Sequence, residues 1–193
     1  MIMITNKDIE EIFQEQLAGI EDAEIRSKTV QVWVEACKKG NWKNTNELCH
    51  VPFSLLVETK GIGLIEHTIA VTEGAVGLAE SQIDAYSEMP YSVNMDRLIA
   101  GGLLHDVGKL LEIEPAPHGG YRKSRSGMCA RHPISGAILA AQAGLPEELI
   151  NVIACHSKEG DGRPQTVETV FIHQADFAAF NPLVMLEKEK LIQ

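Results

Sequence analysis

The sequence predicts an all-α fold. Three observations carry that expectation. Apolar residues recur at helical spacing along nearly the whole chain, alternating runs of strand length are nearly absent, and Pro and Gly stand where helices should begin and stop. No internal repeat, low-complexity tract or long charge run divides the chain, so one structural domain is expected.

The elements follow in order. Thr5 and Asp8 have the spacing of a capping box, and Ile9, Ile12, Phe13 and Leu17 continue on one helix face. Val30, Trp33, Val34 and Cys37 repeat that spacing and end at Lys38, Lys39 and Gly40, a cationic last turn with a glycine stop. Residues 41–60 read as loops around a short helix, bounded by Pro52 and Gly61. From 63 to 80, Leu64, His67, Val71 and Leu78 share a face. The next helix starts near Asn94 or Asp96 and runs through Leu98, Ile99, Leu103 and Leu104 to His105. Residues 112–131, rich in Pro, Gly and basic groups, read as a loop. Pro133 opens a helix that ends at Gly144, Pro146 opens another, and a last helix covers 167–180.

Composition narrows the function. With 45% hydrophobic and 23% charged residues the 193-residue chain has the make-up of a globular protein with a core of its own. Seventeen Lys and Arg against 27 Asp and Glu leave a formal charge of −10, which opposes a nucleic acid polymer as partner. Only 5% of residues are aromatic, too few for a base-stacking platform. No apolar run is long enough to span a membrane, and the stretch from Met1 to Asp8 turns polar too early for a signal peptide. A cytoplasmic protein without a membrane partner is expected; a homo-oligomer stays open. The four cysteines, at 37, 49, 129 and 155, lack paired spacing, and each reads as a small buried hydrophobe.

The histidines and two aspartates are more informative. His67 lies on the apolar face of its helix, and His105 and Asp106 end a wholly apolar run. His132 precedes Pro133 at a helix start, His156 continues the stripe of Leu149 and Val152, and Asp176 has Ile172 and Phe180 four residues to either side. One such histidine is ordinarily a hydrogen-bonded core residue. Two buried carboxylates among four histidines require a compensating cation. Imidazole with carboxylate suits Fe, Mn, Co, Ni or Zn, and helical bundles build such centres from inward-facing side chains.

At these residues the chain resembles the HD superfamily of metal-dependent phosphohydrolases. The matching elements are His67, the His105-Asp106 doublet followed by Gly108 and Lys109, then His132, His156 and Asp176. The resemblance covers about 64–181. It implies an HD-domain helical bundle over 61–193 with a metal centre in its core; it leaves the first sixty residues unaccounted for, and residues 1–60 are expected to form a helical extension packed on that bundle. It further implies two divalent metals, one held by His67, His105, Asp106 and Asp176, the other by His132 and His156, with Asp106 bridging. The stretch from Val152 to Pro164 is similar to a truncated HD-GYP signature, with Ser157 where that subgroup has a second histidine. The spacing from His132 to Pro182 is closer to small HD hydrolases of nucleotides and dinucleoside polyphosphates.

Two supporting features stand beside the ligands. Lys109 is one turn past His105 and could reach a bound phosphate; its plainer reading is a cation at a helix C-terminus. Arg122, Lys123, Arg125 and Arg131 lie between His118 and His132 with no acidic residue among them, either an anion-binding lid or a solvated loop. His173 reads as packed or as a partner of the ligands, His50 and His118 as exposed, and Asp161 as a turn residue.

The resulting expectation is a phosphohydrolase that cleaves a phosphoester or phosphoanhydride of a small nucleotide-like substrate through a metal-bridging hydroxide. Asp106 and Lys109 would be catalytic, with Lys109 and the four loop cations binding substrate. The same six ligands resemble those of HD-type di-iron oxygenases, an alternative the sequence leaves open. A non-catalytic nucleotide-sensing HD module ranks below both, because none of the six ligands is missing.

Overall fold

The computed structural model describes residues 4–192; Met1 to Met3, part of the N-terminal stretch read above, and Gln193 lie outside the described residues. The fold is all-α with one small hairpin, 63% of it helix. Helices α1 (Asn6–Ile12), α2 (Gln14–Ala18), α3 (Ala23–Gly40) and α4 (Thr45–Cys49) precede the long α5 (Leu64–Ala85). Then come α6 (Met95–Leu104), α7 (Lys109–Glu112), strands β1 (Ile113–Pro115) and β2 (Tyr121–Lys123), and α8 (Arg125–Cys129). Helices α9 (His132–Gln142), α10 (Glu147–Cys155) and α11 (Val167–Glu187) complete the chain, with a 3-10 turn at Lys158–Gly160.

Helix α6 is the centre of the bundle. Every residue from Leu98 to Leu104 is buried, and α5, α11, α3 and α10 pack around it. Gly102 lets α5 approach closely, since a Cβ there would lie 2.7 Å from the Thr72 hydroxyl and 2.9 Å from its Cα. The first forty residues join the same core. Phe13 packs on Trp33 with ring centroids 4.9 Å apart, and the Trp33 indole donates to the Leu103 carbonyl at 2.9 Å. Trp42 does the same to Leu110 at 2.8 Å. Two indole N–H groups are thus satisfied by carbonyls of the segment that carries His105 and Asp106.

The capping box at Thr5 and Asp8 forms, Asn94 caps α6, and Asn41 ends α3 in the left-handed region. Several expectations need correction. The first helix is two, interrupted at Phe13, whose buried ring fixes the break. Leu78 is exposed; Ala75 and Ala79 serve the buried face instead, where close packing against α11 leaves room only for small residues. Residues 112–131 are not a plain loop but a hairpin and a short helix. Ile113, Glu114 and Pro115 pair with Lys123, Arg122 and Tyr121, and the strands are too short for alternation to reveal them. Helix α11 runs past 180 and through Pro182, because Phe180 and Leu183 still pack on the core. Of the cysteines only Cys37 is buried; Cys49 and Cys129 are exposed and Cys155 is half-buried, since short elements leave them at helix ends.

Candidate metal centre

Five elements bring the six candidate ligands together. His67 stands in the first turn of α5, where Phe53 stacks on its ring at 4.1 Å. His105 and Asp106 lie where α6 gives way to the tight turns before α7, which are closed by the bonds from Val107 to Leu104 and from Lys109 to Asp106. His132 is the first residue of α9, His156 follows α10 directly, and Asp176 is in the middle of α11. All four histidines and Asp106 are buried.

Asp106 is the hub, and its two oxygens face different partners. Oδ2 lies 3.3 Å from Nε2 of both His67 and His105. Oδ1 lies 3.2 Å from His132 Nε2 and 3.6 Å from His156 Nε2. Asp176 Oδ1 is 3.1 Å from His67 Nε2. Among the described residues, two groups could therefore hold a metal ion: His67, His105, Asp106 and Asp176, and Asp106, His132 and His156.

The tautomers follow from the outer hydrogen bonds. His105 Nδ1 is 2.6 Å from the Gly102 carbonyl and His156 Nδ1 is 2.9 Å from the Ile153 carbonyl. A carbonyl oxygen has no proton to give, so each Nδ1 donates and the neutral ring turns an Nε2 lone pair to the centre. His132 Nδ1 donates to Glu112 Oε2 at 2.9 Å, with the same consequence. Nitrogen lone pairs aimed at a carboxylate repel it unless a cation lies between them. Consistent with that, His67 Nε2, His105 Nε2, His156 Nε2 and Asp106 Oδ1 are buried with no hydrogen-bond partner among the described residues. The donor set is imidazole and carboxylate, with no thiolate, and it fits a divalent transition metal.

The local electrostatics keep the oxygen donors ionised. Burial raises the Asp106 carboxyl, yet Lys109, whose Nζ contacts Oδ2, outweighs it and holds Asp106 well below the usual carboxylate range. Asp176, also pushed up by burial, is brought down to about 2 by His67. Burial drives His132 down to about 4, so it is neutral at pH 7 despite Asp106 and Glu112. His67 moves the other way. Burial lowers it, but the carboxylates of Asp106 and Asp176 together raise it.

A cavity of about 730 Å³ opens beside this centre and is lined by His132, Asp176 and Lys109. Arg122, Lys123 and Arg131 also reach it, whereas Arg125 lines separate hollows with Lys39 and Ser126. The three that reach it are paired with acids from outside the stretch between His118 and His132. Arg122 meets Glu114 at 2.8 Å, Lys123 meets Glu112 at 3.2 Å, and Arg131 meets Glu159 at 2.5 Å. His173 donates to the His156 carbonyl at 2.7 Å and stacks on the Phe177 ring at 4.5 Å, so it supports a candidate ligand from behind. His50, His118 and Asp161 are exposed. Sequence reasoning missed Glu112, Phe53 and Lys158. Glu112 carried a usable signal, as an acid seven residues after His105; Phe53 and Lys158 carried none.

Residues 64–178 match the HD domain family model. Over 124 residues the chain is 34% identical to dihydroneopterin 2′,3′-cyclic phosphate phosphodiesterase of Methanocaldococcus jannaschii, covering 60% of this chain and 45% of that protein. It is 29% identical over 116 residues to ribonuclease Y of Thermotoga petrophila and 30% identical to that of Thermosipho melanesiensis, in each case covering 60% of this chain and 18% of the relative. The chain thus spans less than half the length of these curated relatives. No solved structure matches it significantly. The family match takes in all six residues gathered around Asp106 and extends over more than half of the sequence, and the chain belongs to the HD-domain family.

Proposed function

We propose that this chain is a metal-dependent phosphohydrolase that cleaves a phosphoester or phosphoanhydride bond of a small nucleotide-like substrate. The observation that carries the reading is the division of one buried carboxylate, Asp106, between two pairs of imidazoles, with the nitrogen lone pairs of His105, His132 and His156 converging on it. In this reading His67, His105, Asp106 and Asp176 hold one metal, and Asp106, His132 and His156 hold a second. Metals bound there supply Lewis acidity towards a phosphoryl oxygen and lower the pKa of the attacking water. Lys109 supplies positive charge at the mouth of the centre, where phosphate charge builds up. Asp106 stays ionised beside Lys109, so it would be available to both ligand groups without first losing a proton.

A relative named for a cyclic phosphate of dihydroneopterin supports a small phosphodiester as substrate. Ribonuclease relatives share the bond type, but the −10 charge of this chain disfavours a polyanion. The test is metal analysis of the purified protein together with hydrolysis of a nucleoside 2′,3′-cyclic phosphate, with and without dioxygen. Two divalent metals per chain and oxygen-independent hydrolysis are expected. Turnover that requires dioxygen would replace this reading with the oxygenase one, and a metal-free protein of undiminished activity would end it.

A further inference from the structure

The cavity beside the metal centre has two chemistries that the six ligands do not explain. Its apolar lining comes from Phe53, Leu55 and Leu56, in the segment before α5, and from Phe177 and Phe180 on α11. Phe53 meets Phe180 edge to face at 6.4 Å and stacks on His67, so this wall reaches the candidate ligands. Phe177 directly follows Asp176. Leu55 is 42% and Leu56 78% exposed, which leaves apolar surface open at a cavity mouth. The segment 53–56 also lies outside the family match, which begins at residue 64.

The polar lining is more selective than its composition suggests. Lys109 is engaged with Asp106, and Arg122, Lys123 and Arg131 are each paired with a glutamate. Lys158, in the turn two residues after His156, also lines the cavity. Among the described residues it has no acidic partner within ion-pair distance, so its charge is available to a ligand. A volume of about 730 Å³ holds a small molecule of two or three linked groups.

We propose that Leu55, Leu56 and Phe177 seat a flat aromatic ring of the substrate while Lys158 counters its phosphate charge, so that the cavity selects phosphorylated ring-bearing small molecules. The phosphate half rests on the phosphohydrolase reading; the ring half rests on the apolar wall alone. A ring covers the exposed leucines and packs edge or face against Phe177, and apolar contact of this kind discriminates little between ring types.

Equilibrium binding to the metal-loaded protein tests this, with adenosine 5′-monophosphate and ribose 5-phosphate as probes that differ only in the ring. The nucleotide should bind at least about tenfold more tightly. A Leu55→Ser, Leu56→Ser double variant, altered only at exposed positions and checked by its melting curve, should bring the two affinities together. Lys158→Ala should weaken both probes by a similar factor, about five- to tenfold, and leave their ratio intact. Equal binding of the two probes by the wild type, absence of binding by either, or an unchanged ratio in the double variant would overturn the proposal, and full affinity in Lys158→Ala would remove its cationic half. A ring preference in binding without any hydrolysis of cyclic phosphates would count against the phosphohydrolase reading and not against this one.

Discussion

Glu112 holds His132 twice through one oxygen: Oε2 accepts the backbone N–H at 2.6 Å and the Nδ1–H at 2.9 Å. Burial raises the Glu112 carboxyl, but these two donors bring it down to about 2, so it is ionised at any working pH. The bond selects the tautomer that leaves His132 Nε2 facing Asp106. Glu112→Gln keeps an acceptor but loses the charge, and metal affinity should fall about tenfold; Glu112→Ala should lose up to about a hundredfold. Competition with a fluorescent chelator reads this directly. Wild-type affinity in both variants would mean that His132 is not a ligand.

The division of Asp106 between two imidazole pairs predicts unequal effects of ligand removal. Asp106→Ala should lose both metals, whereas His132→Ala or His156→Ala should lose about one. Metal content measured on purified variants separates the cases, and unchanged stoichiometry in both histidine variants would leave a mononuclear centre. Chelation should also lower the melting temperature. Metal at a hundredfold above its dissociation constant stabilises by about 3 kcal/mol, read as about 5–10 °C for a chain of this size. An identical melt after complete removal would show that no metal is bound in the folded state.

Most of the candidate ligand set was legible in the sequence because its members interrupt or end apolar helical runs: a polar residue at His67 or Asp106 cannot be buried there without a reason, and His132 was marked instead by Pro133 at a helix start. The surroundings were less so, because they depend on contacts between distant residues. Arg131 appears cationic in sequence and is neutralised by Glu159, 28 residues away. Arg125 belongs to the same basic run but points to another hollow once α8 forms. Phe53 lies in a stretch without periodicity, so its stacking on His67 left no mark in the pattern.

Gly108 belongs to the doublet motif for a packing reason. A Cβ at this position would lie 2.2 Å from the His132 carbonyl oxygen and 2.8 Å from the Gly136 backbone nitrogen. Backbone atoms cannot turn aside as a side chain does, so Gly108→Ala must push α9 away. The cost should be at least about 2 kcal/mol, about 4–8 °C in melting temperature, with reduced metal affinity because His132 moves with α9. A melting curve like that of the wild type would contradict this packing account.

Lys109 contacts Asp106 Oδ2 and lies 5.6 Å from the centre of the Phe53 ring. It is not among the groups that could hold a metal, so Lys109→Ala should retain metal content while kcat falls about a hundredfold. Lys109→Arg should recover only part, since a planar guanidinium does not replace a compact ammonium at a tight contact. Full phosphatase activity in Lys109→Ala would leave the oxygenase alternative the stronger one.

Arg131 and Glu159 allow the basic face of the cavity to be tested with a single carboxylate. Burial raises the Glu159 carboxyl, and the Ser157 hydroxyl, a backbone N–H and Arg131 together lower it below 4.5. A depressed carboxylate stabilises the fold above its unfolded pKa, and that contribution is lost as pH falls through the lower folded value. Glu159→Gln should therefore melt slightly below the wild type at pH 7, by no more than about 1 kcal/mol for a pair this exposed. The two curves should converge as pH drops below 4.5. At neutral pH the same substitution releases the Arg131 guanidinium into the cavity, so the Michaelis constant for a phosphate ester should fall several-fold with kcat unchanged. That gain should shrink with salt, because exposed charges are screened over about 8–10 Å near physiological ionic strength. An unaltered Michaelis constant at low salt would show that Arg131 serves the fold through Glu159 and does not reach the substrate.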